Sequence, residues 1–239
     1  ARAFYTRYYQ QGRCMIFVAG LLPDNIVEQI EKNFGGLPFG GSEKPDLPLS
    51  APEPAVQKKY RIVNDPEGVQ GAIRIARNFP NRHHPDFQKM LVLNNLFGGF
   101  FGSRLMANIR EDKGYTYGIH SYLTNLIQES NLMISTEAGK DVCEATIKEV
   151  YLEMNRLRNE PVPEEELQIT RNFMIGTLLG DLDGPFQVAG RWKSLLLNGL
   201  TEDYFYKGVE VIKTVTAKDL QELANKYLRP EDFYELVVQ

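Results

Sequence analysis

Two hydrophobic periods alternate along this chain, and the switches between them mark the elements. From Gly68 to Asn78, Val69, Gly71, Ile73, Ile75 and Arg77 share one face, the period of two expected of a strand with one side in a core. Asn131–Ala138 repeats the pattern with Leu132, Ile134, Thr136 and Ala138. Tyr115–Leu123 precedes it across a polar loop at 124–130, so the two read as an antiparallel hairpin with a long connection. Lys59–Asn64 and Phe233–Val238 read as further strands. Between them the period lengthens. Phe87, Met90, Leu91, Asn94 and Phe97 form one helical band after Pro85, a residue suited to a first helical turn, and Gly98-Gly99 ends it. Ser103 stands where it could cap the next helix, which carries Leu105, Met106 and Ile109 and turns at Lys113-Gly114. Helices are also expected over Asp141–Arg158, Glu164–Leu179, Phe186–Leu197, Asp203–Ile212 and from Thr216 to Tyr227. At the other end, Phe4, Tyr5 and Tyr8 end a helix, Gln11-Gly12 turns, and Cys14–Ala19 reads as a buried strand. A further helix follows Pro23-Asp24, with Ile26, Val27, Ile30 and Phe34 on one stripe and Gly35-Gly36 as its stop.

Residues 36–58 break both periods. They hold Pro38, Pro45, Pro48, Pro52 and Pro54 without an apolar repeat, and read as a linker between residues 1–35 and 59–239. An echo spans that boundary. Ala3–Gly20 and Glu222–Gln239 share a layout of helix end, turn and buried strand, with Tyr8 falling on Tyr227, Arg7 on Lys226 and Phe17 on Leu236. A repeat this long points to a duplicated domain, of which the chain would hold the end of one copy and all of a second. The sequence opens mid-pattern at Ala1-Arg2-Ala3-Phe4, as a piece of a longer protein would.

Composition narrows the function classes. With 239 residues, 43% hydrophobic and 24% charged, the chain has ample material for a buried core. Its net charge is −4 with acids and bases interleaved, which argues against a nucleic-acid partner. Apolar runs such as Cys14–Leu22 are far too short for a membrane span. Cys14 and Cys143 read as two small core residues or as a disulfide, and leave the compartment open.

Familiar catalytic motifs are missing. The three histidines are His83, His84 and His120; the first two are adjacent and diverge, and neither H-E-x-x-H nor H-x-x-E-H occurs, so no metal site is expected in this chain. Ser103 lacks the strand–turn–helix context of a nucleophile elbow. Gly98, Gly99 and Gly102 could cradle an anion at a helix start, but no phosphate-binding fingerprint surrounds them. Arg110 and Tyr117 remain. An arginine offers up to five N–H donors and a tyrosine one O–H. Brought together over a cleft they could hold a peptide carbonyl and stabilise negative charge developing on it. Apart, they would be a solvated arginine and a half-buried strand tyrosine.

The stretch Leu96–Tyr122, LFGGFFGSRLMANIREDKGYTYGIHSY, resembles the signature of the second domain of insulinase/pitrilysin-type zinc metallopeptidases, the family that includes mitochondrial processing peptidase. Leu96-Phe97-Gly98-Gly99, Ser103-Arg104-Leu105, Ile109-Arg110-Glu111, Gly114 and Tyr117 carry the likeness, with Pro85-Asp86-Phe87, Glu164–Leu167 and Lys226-Tyr227-Leu228 in support. The resemblance implies an α+β fold, a mainly antiparallel sheet with helices packed on it, and two such halves enclosing a proteolytic chamber. It makes residues 1–35 the tail of a first peptidase-like domain and 59–239 a complete second, inactive domain. It implies zinc only on the missing first domain or on a partner subunit, so that this stretch alone would not cleave peptides. Arg110 and Tyr117 would then be catalytic and substrate-binding residues, with Gly98 and Gly99 beside the substrate. The expected partners are a peptide or protein substrate and a zinc-bearing homologous domain or subunit, in a homo- or heterodimer. A non-catalytic subunit of a processing-protease-like complex is the alternative. Phe100-Phe101 depart from the family, which has smaller residues there.

Overall fold

The computed structural model describes residues 1–12, 14–38, 53–126 and 129–239. They fall into two compact units, one of Ala1–Pro54 with Gly180–Leu200 and the other of Ala55–Leu179 with Thr201–Gln239. Residues 39–52, and with them most of the expected linker, lie outside the described residues.

The second unit is α+β and is built on a sheet of β1 (Lys59–Ile62), β2 (Gln70–Phe79), β3 (Thr116–Asn125), β4 (Ser130–Gly139) and β5 (Tyr234–Val238), in the order β1-β5-β2-β4-β3. β2 and β4 pair antiparallel from Gln70↔Gly139 to Phe79↔Ser130; β3 pairs antiparallel with β4, and β5 with β2. Only β1 runs parallel to its neighbour, β5. The period-two pattern is realised as written: Ile73, Ile75 and Phe79 of β2, and Leu132, Ile134, Thr136 and Ala138 of β4, are buried on one face. Helices cover that face. They are α3 (Phe87–Asn94), α4 (Cys143–Asn159), α5 (Glu164–Gly180, described to Leu179 within this unit), α7 (Glu202–Thr214) and α8 (Ala217–Tyr227). Phe97, Met90, Leu93, Leu105, Leu132 and Phe233 fill the space between. The other face carries shorter and polar side chains such as Ala72, Ser135, Glu137 and His120, the usual asymmetry of an antiparallel sheet.

Both sheet edges are protected. β1 is short and its basic residues are drawn onto the buried Glu235, which accepts from Lys59 Nζ at 2.9 Å, Arg61 Nη2 at 2.8 Å and Tyr151 Oη at 2.7 Å. β3 contains no Lys, Arg, Asp, Glu or Pro that would repel a strange strand. It is guarded instead by the wide last turn of α3 (Asn95–Gly99) and the helix that follows. Asn94 Nδ2 donates to the Ser121 carbonyl at 3.1 Å, and the Ile119 N–H points at Met106 Sδ, 3.4 Å away. Gly98 permits this approach. A Cβ built there would lie 2.6 Å from Ser121 Oγ, 2.8 Å from Leu105 Cδ1 and 2.9 Å from the Ser121 amide nitrogen.

The first unit contains α1 (Arg2–Tyr5), continued by a wide turn over Thr6–Gln10, then α2 (Ile26–Phe34) and α6 (Pro185–Leu197). Here one expectation fails. Residues 14–19 form no strand, and Met15, Ile16, Phe17 and Val18 are exposed, because no described strand pairs with them. Cys14 is exposed with them and is not a core residue; Cys143 is buried, and both thiols are free. Ser103 brings a second correction. Its hydroxyl caps no helix: it is buried and without a hydrogen-bond partner among the described residues. Thr216 does cap α8, in a reciprocal box with Asp219, whose carboxylate also meets Lys89 Nζ at 2.5 Å.

Two predictions follow from these contacts. Gly98→Ala overpacks the α3–β3 junction and should cost about 1–3 kcal/mol, whereas Gly176→Ala, in the open interior of α5 with nothing near its Cβ, should gain about 0.5–1 kcal/mol. Thermal melts of both variants check this, and equal shifts would contradict it. Hydrogen bonds from Lys89 and Thr216 hold the Asp219 carboxyl down from 3.8 to about 2. That stabilisation is present above pH 4 and is lost as pH falls through the window from about 4 to about 2. Asp219→Asn should therefore lower stability by about 1–2 kcal/mol at pH 7. In urea titrations its deficit should shrink progressively below pH 4; a deficit that stays constant down to pH 3 would rule out the ion pair as its source.

Candidate functional site

The site is assembled where the helix after α3 hands over to β3. Ser103 N–H donates to the Phe100 carbonyl, closing the turn, and residues 104–112 are helical, with wide turns over Met106–Asp112. Three ties fix this helix. Leu105, Met106 and Ile109 are buried in the core. Arg104 grips Glu166 of α5 through two bonds of 2.7 and 2.8 Å. Asn108 donates to Glu153 at 2.6 Å and to Glu149 at 3.1 Å, both on α4. The helix ends on Gly114, whose φ of +65° is the left-handed conformation that favours glycine, while its N–H and that of Tyr115 bond back to the carbonyls of Arg110 and Ile109.

β3 then opens with a bulge. Thr116 pairs with Ala138 and Ile119 with Thr136, so Tyr117 and Gly118 together face the single residue Glu137. Hydroxyls hold it: Thr136 Oγ1 donates to the Gly118 carbonyl at 2.9 Å, and Thr116 Oγ1 to the Glu137 carbonyl at 2.6 Å. In an unbroken strand Tyr117 would share a face with the buried Ile119. The extra residue turns it out, and Tyr117 is 92% exposed.

Arg110 and Tyr117 meet. The guanidinium carbon of Arg110 lies 5.4 Å from the Tyr117 ring centroid, and 4.5 Å from that of Phe101, so aromatic rings flank it. Arg110 Nη1 is 3.2 Å from Glu111 Oε1. Beside Tyr117 an open cleft of about 390 Å³ is lined by Gln70, Thr116, Gly118, His120, Glu137 and Gly139, among others. The two glycines sit differently: Gly98 is buried against Ser121, and Gly99 is half-buried near Asn95. The pairing of Phe101 and Glu111 with Arg110 escapes a reading of the sequence, although two successive phenylalanines in a glycine-rich turn were its visible signal.

A second, polar cavity of about 550 Å³ lies between Arg104, Asn108, Asp112, Glu153, Arg156 and Glu166. Two of its four acids already have partners: Glu153 meets Asn108 and Arg156, and Glu166 meets Arg104. Among the described residues no group of three His, Cys, Asp or Glu side chains could hold a metal ion. His84 Nδ1 accepts from the Asp86 N–H and helps form the turn into α3. The described residues therefore do not fit a zinc site. No helix among the described residues is long and apolar enough to cross a membrane.

Comparison with known proteins agrees with this architecture. The family model described as the peptidase M16 inactive domain matches residues 1–174. An uncharacterized zinc protease of Bacillus subtilis is 26% identical over 182 residues, 76% of this chain and 43% of that protein. A peptidase M16 inactive domain from Pseudomonas fluorescens superimposes with a TM-score of 0.75 at 21% identity, over 91% of this chain and 51% of that one. For a protease from Helicobacter pylori the TM-score is 0.77 at 16% identity, over 92% and 54%. The chain spans about half the length of the curated relatives it matches, 43% to 51%. A family match over this much of the sequence, on an α+β unit of the same fold, settles the assignment: this chain belongs to the peptidase M16 family of insulinase/pitrilysin-type metallopeptidases, as its inactive domain.

Proposed function

We propose that this domain is the substrate-holding half of a zinc endopeptidase, with Arg110 and Tyr117 presented to a peptide whose scissile bond is attacked elsewhere. The zinc would sit on a homologous domain preceding residue 36 or on a partner subunit, with residues 59–239 as the second half. Zinc there supplies an activated water and polarises the carbonyl. This chain's part is different. The Arg110 fork and the Tyr117 hydroxyl donate to a backbone carbonyl oxygen, orient the peptide, and offset negative charge as it grows on that oxygen.

The observation that carries the reading is the 5.4 Å approach of Arg110 to a 92% exposed Tyr117. A large aromatic in solvent is not explained by packing, and the bulge that turns it out is held by hydroxyl bonds. Gly98 contributes indirectly, by setting the distance between the helix and β3. Gly99 is a candidate for direct backbone contact with substrate.

The test uses the full-length protein together with its zinc-bearing half. Arg110→Ala and Tyr117→Phe should each lower kcat/KM by roughly 10²-fold, mostly in kcat, since each removes a donor needed most in the transition state. The melting temperature of Tyr117→Phe should stay close to wild type, because that side chain is 92% exposed, whereas Arg110→Ala, which removes a partly buried side chain, is to be read alongside its melt. Wild-type kcat/KM in both variants would instead make this a non-catalytic partner subunit.

A further inference from the structure

The exposed side chains at the start of the chain follow a rule that the second unit explains. With Tyr8 set on Tyr227, Phe4, Tyr5 and Tyr9 fall on Leu223, Ala224 and Leu228, at the end of α8. Those three are 6%, 0% and 0% exposed, whereas Phe4, Tyr5 and Tyr9 are 59%, 54% and 65% exposed. The extended stretch repeats the relation. Ile16 and Val18, both in solvent, fall on Glu235 and Val237 of β5, both buried. Met15 and Phe17 fall on Tyr234 and Leu236, on the open face of the sheet. Positions that α8 and β5 turn into a core are thus apolar or aromatic in the first unit, and stand uncovered there.

Nothing local accounts for this. A helix as short as residues 2–10 is marginal in water unless an apolar face packs on something, and extended main chain needs a neighbour for its N–H and C=O groups. The second unit meets both needs. β5 lies between β1, to which it is parallel, and β2, to which it is antiparallel. At the end of α8, the Tyr227 ring stands edge-on to Phe79 with centroids 4.7 Å apart. Its hydroxyl donates to Asp86 Oδ2 at 2.6 Å, and Lys226 Nζ donates to the same oxygen at 2.6 Å. Asp86 immediately precedes α3, the helix whose far end leads to Gly98 and the candidate site. Where the second unit has Lys226-Tyr227, the first has Arg7-Tyr8, again a cation followed by a tyrosine.

We infer that Ala3–Ala19 is an interaction surface for a homologous domain earlier in the same polypeptide, which it completes. Residues 4–9 are that domain's closing helix, and 15–19 are a strand laid between two others, parallel to one and antiparallel to the other. Arg7 and Tyr8 are positioning residues that hold a carboxylate at the start of its counterpart of α3. This rests on the proposed domain preceding residue 36, and not on the roles of Arg110 and Tyr117. The repeat identifies the occupant: α8 and β5 close their domain from its C-terminal end, so their echo closes the copy before it. Two curated relatives are covered over only 50% and 51% of their length, which is room for one such copy. One difference follows from Ile16. It stands where β5 buries Glu235 under Lys59 and Arg61, so the counterpart of β1 needs no basic pair.

The experiment uses the full-length protein and reads amide hydrogen exchange by mass spectrometry. Amides of residues 15–19 should exchange at least about 10²-fold more slowly than in a free peptide of that sequence. Met15, Ile16 and Val18 are 55%, 43% and 42% exposed in the first unit, which by itself gives no reason for them to differ. With the strand in place, Ile16→Asn and Val18→Asn should each lower the melting temperature by roughly 4 °C or more, and Met15→Asn by less than half as much. Tyr8→Phe and Arg7→Ala should each speed exchange at the start of the α3 counterpart by roughly tenfold, as Tyr227→Phe should at the start of α3 itself. Arg7→Lys, which copies the pair of the second unit, should leave it unchanged. Unprotected amides at 15–19, or equal shifts for the Ile16 and Met15 variants, would overturn the inference whatever Arg110→Ala does to cleavage. Protection that vanishes on dilution would assign the surface to a second copy, and overturn it too. A response to Tyr227→Phe with none to Tyr8→Phe would remove the positioning role. Protected amides at 15–19 with no effect of Arg110→Ala on cleavage would remove the proposed catalytic role and leave this interface standing.

Discussion

Close approach between the end of α3 and β3 is the constraint on which the rest of this domain depends. At Gly98 there is no space for a side chain, because Ser121 Oγ and Leu105 Cδ1 already occupy it. With the backbones that close, Asn94 and Met106 reach the main-chain groups of Ser121 and Ile119, and the edge of the sheet is covered without a charge on β3. The same approach decides where the following helix starts. Since that helix is also tied to α4 through Asn108 and to α5 through Arg104, the position of Arg110 follows from contacts on three sides.

Tyr117 is placed from the opposite direction. Its exposure comes from one additional residue in β3, held by the hydroxyls of Thr116 and Thr136, and so does not depend on the side chain having anything to pack against. An arginine on a helix and a tyrosine on a strand bulge, both with their backbones held in place, are thus brought together at 5.4 Å from guanidinium carbon to ring centroid. In the role proposed for the pair, backbones fixed in this way would leave more of the interaction energy for the ligand, because less has to be reordered on binding. The aromatic turn adds to it: Phe100 is anchored on Phe173, and Phe101 and Tyr117 limit the directions from which Arg110 is reached.

Much of the fold was legible along the chain. β2 and β4 announce themselves by unbroken alternation, since Ile73, Ile75, Leu132 and Ile134 each need the same face of one sheet. Thr216 three residues before Asp219 signals a cap, and the structure makes it. Where the reading failed, the cause was a partner distant in sequence. Cys14–Ala19 has the composition of a buried strand but forms none, because a strand exists only when another pairs with it, and none of the described residues does so. Ser103 has the right spacing to cap a helix, yet its hydroxyl is buried and takes no such bond.

The sequence by itself determined the element types and core faces of the second unit, the family pattern around Arg110 and Tyr117, and the unusual pair Phe100-Phe101. These are local properties, written in periodicity, in glycine positions and in motif spacing. Tertiary structure alone decided that β1 runs parallel to β5, that β3 carries a bulge, that Gly98 serves close packing, and that Phe101 and Glu111 attend Arg110. Each of those depends on registers and distances between segments, which hydrophobic periodicity does not encode.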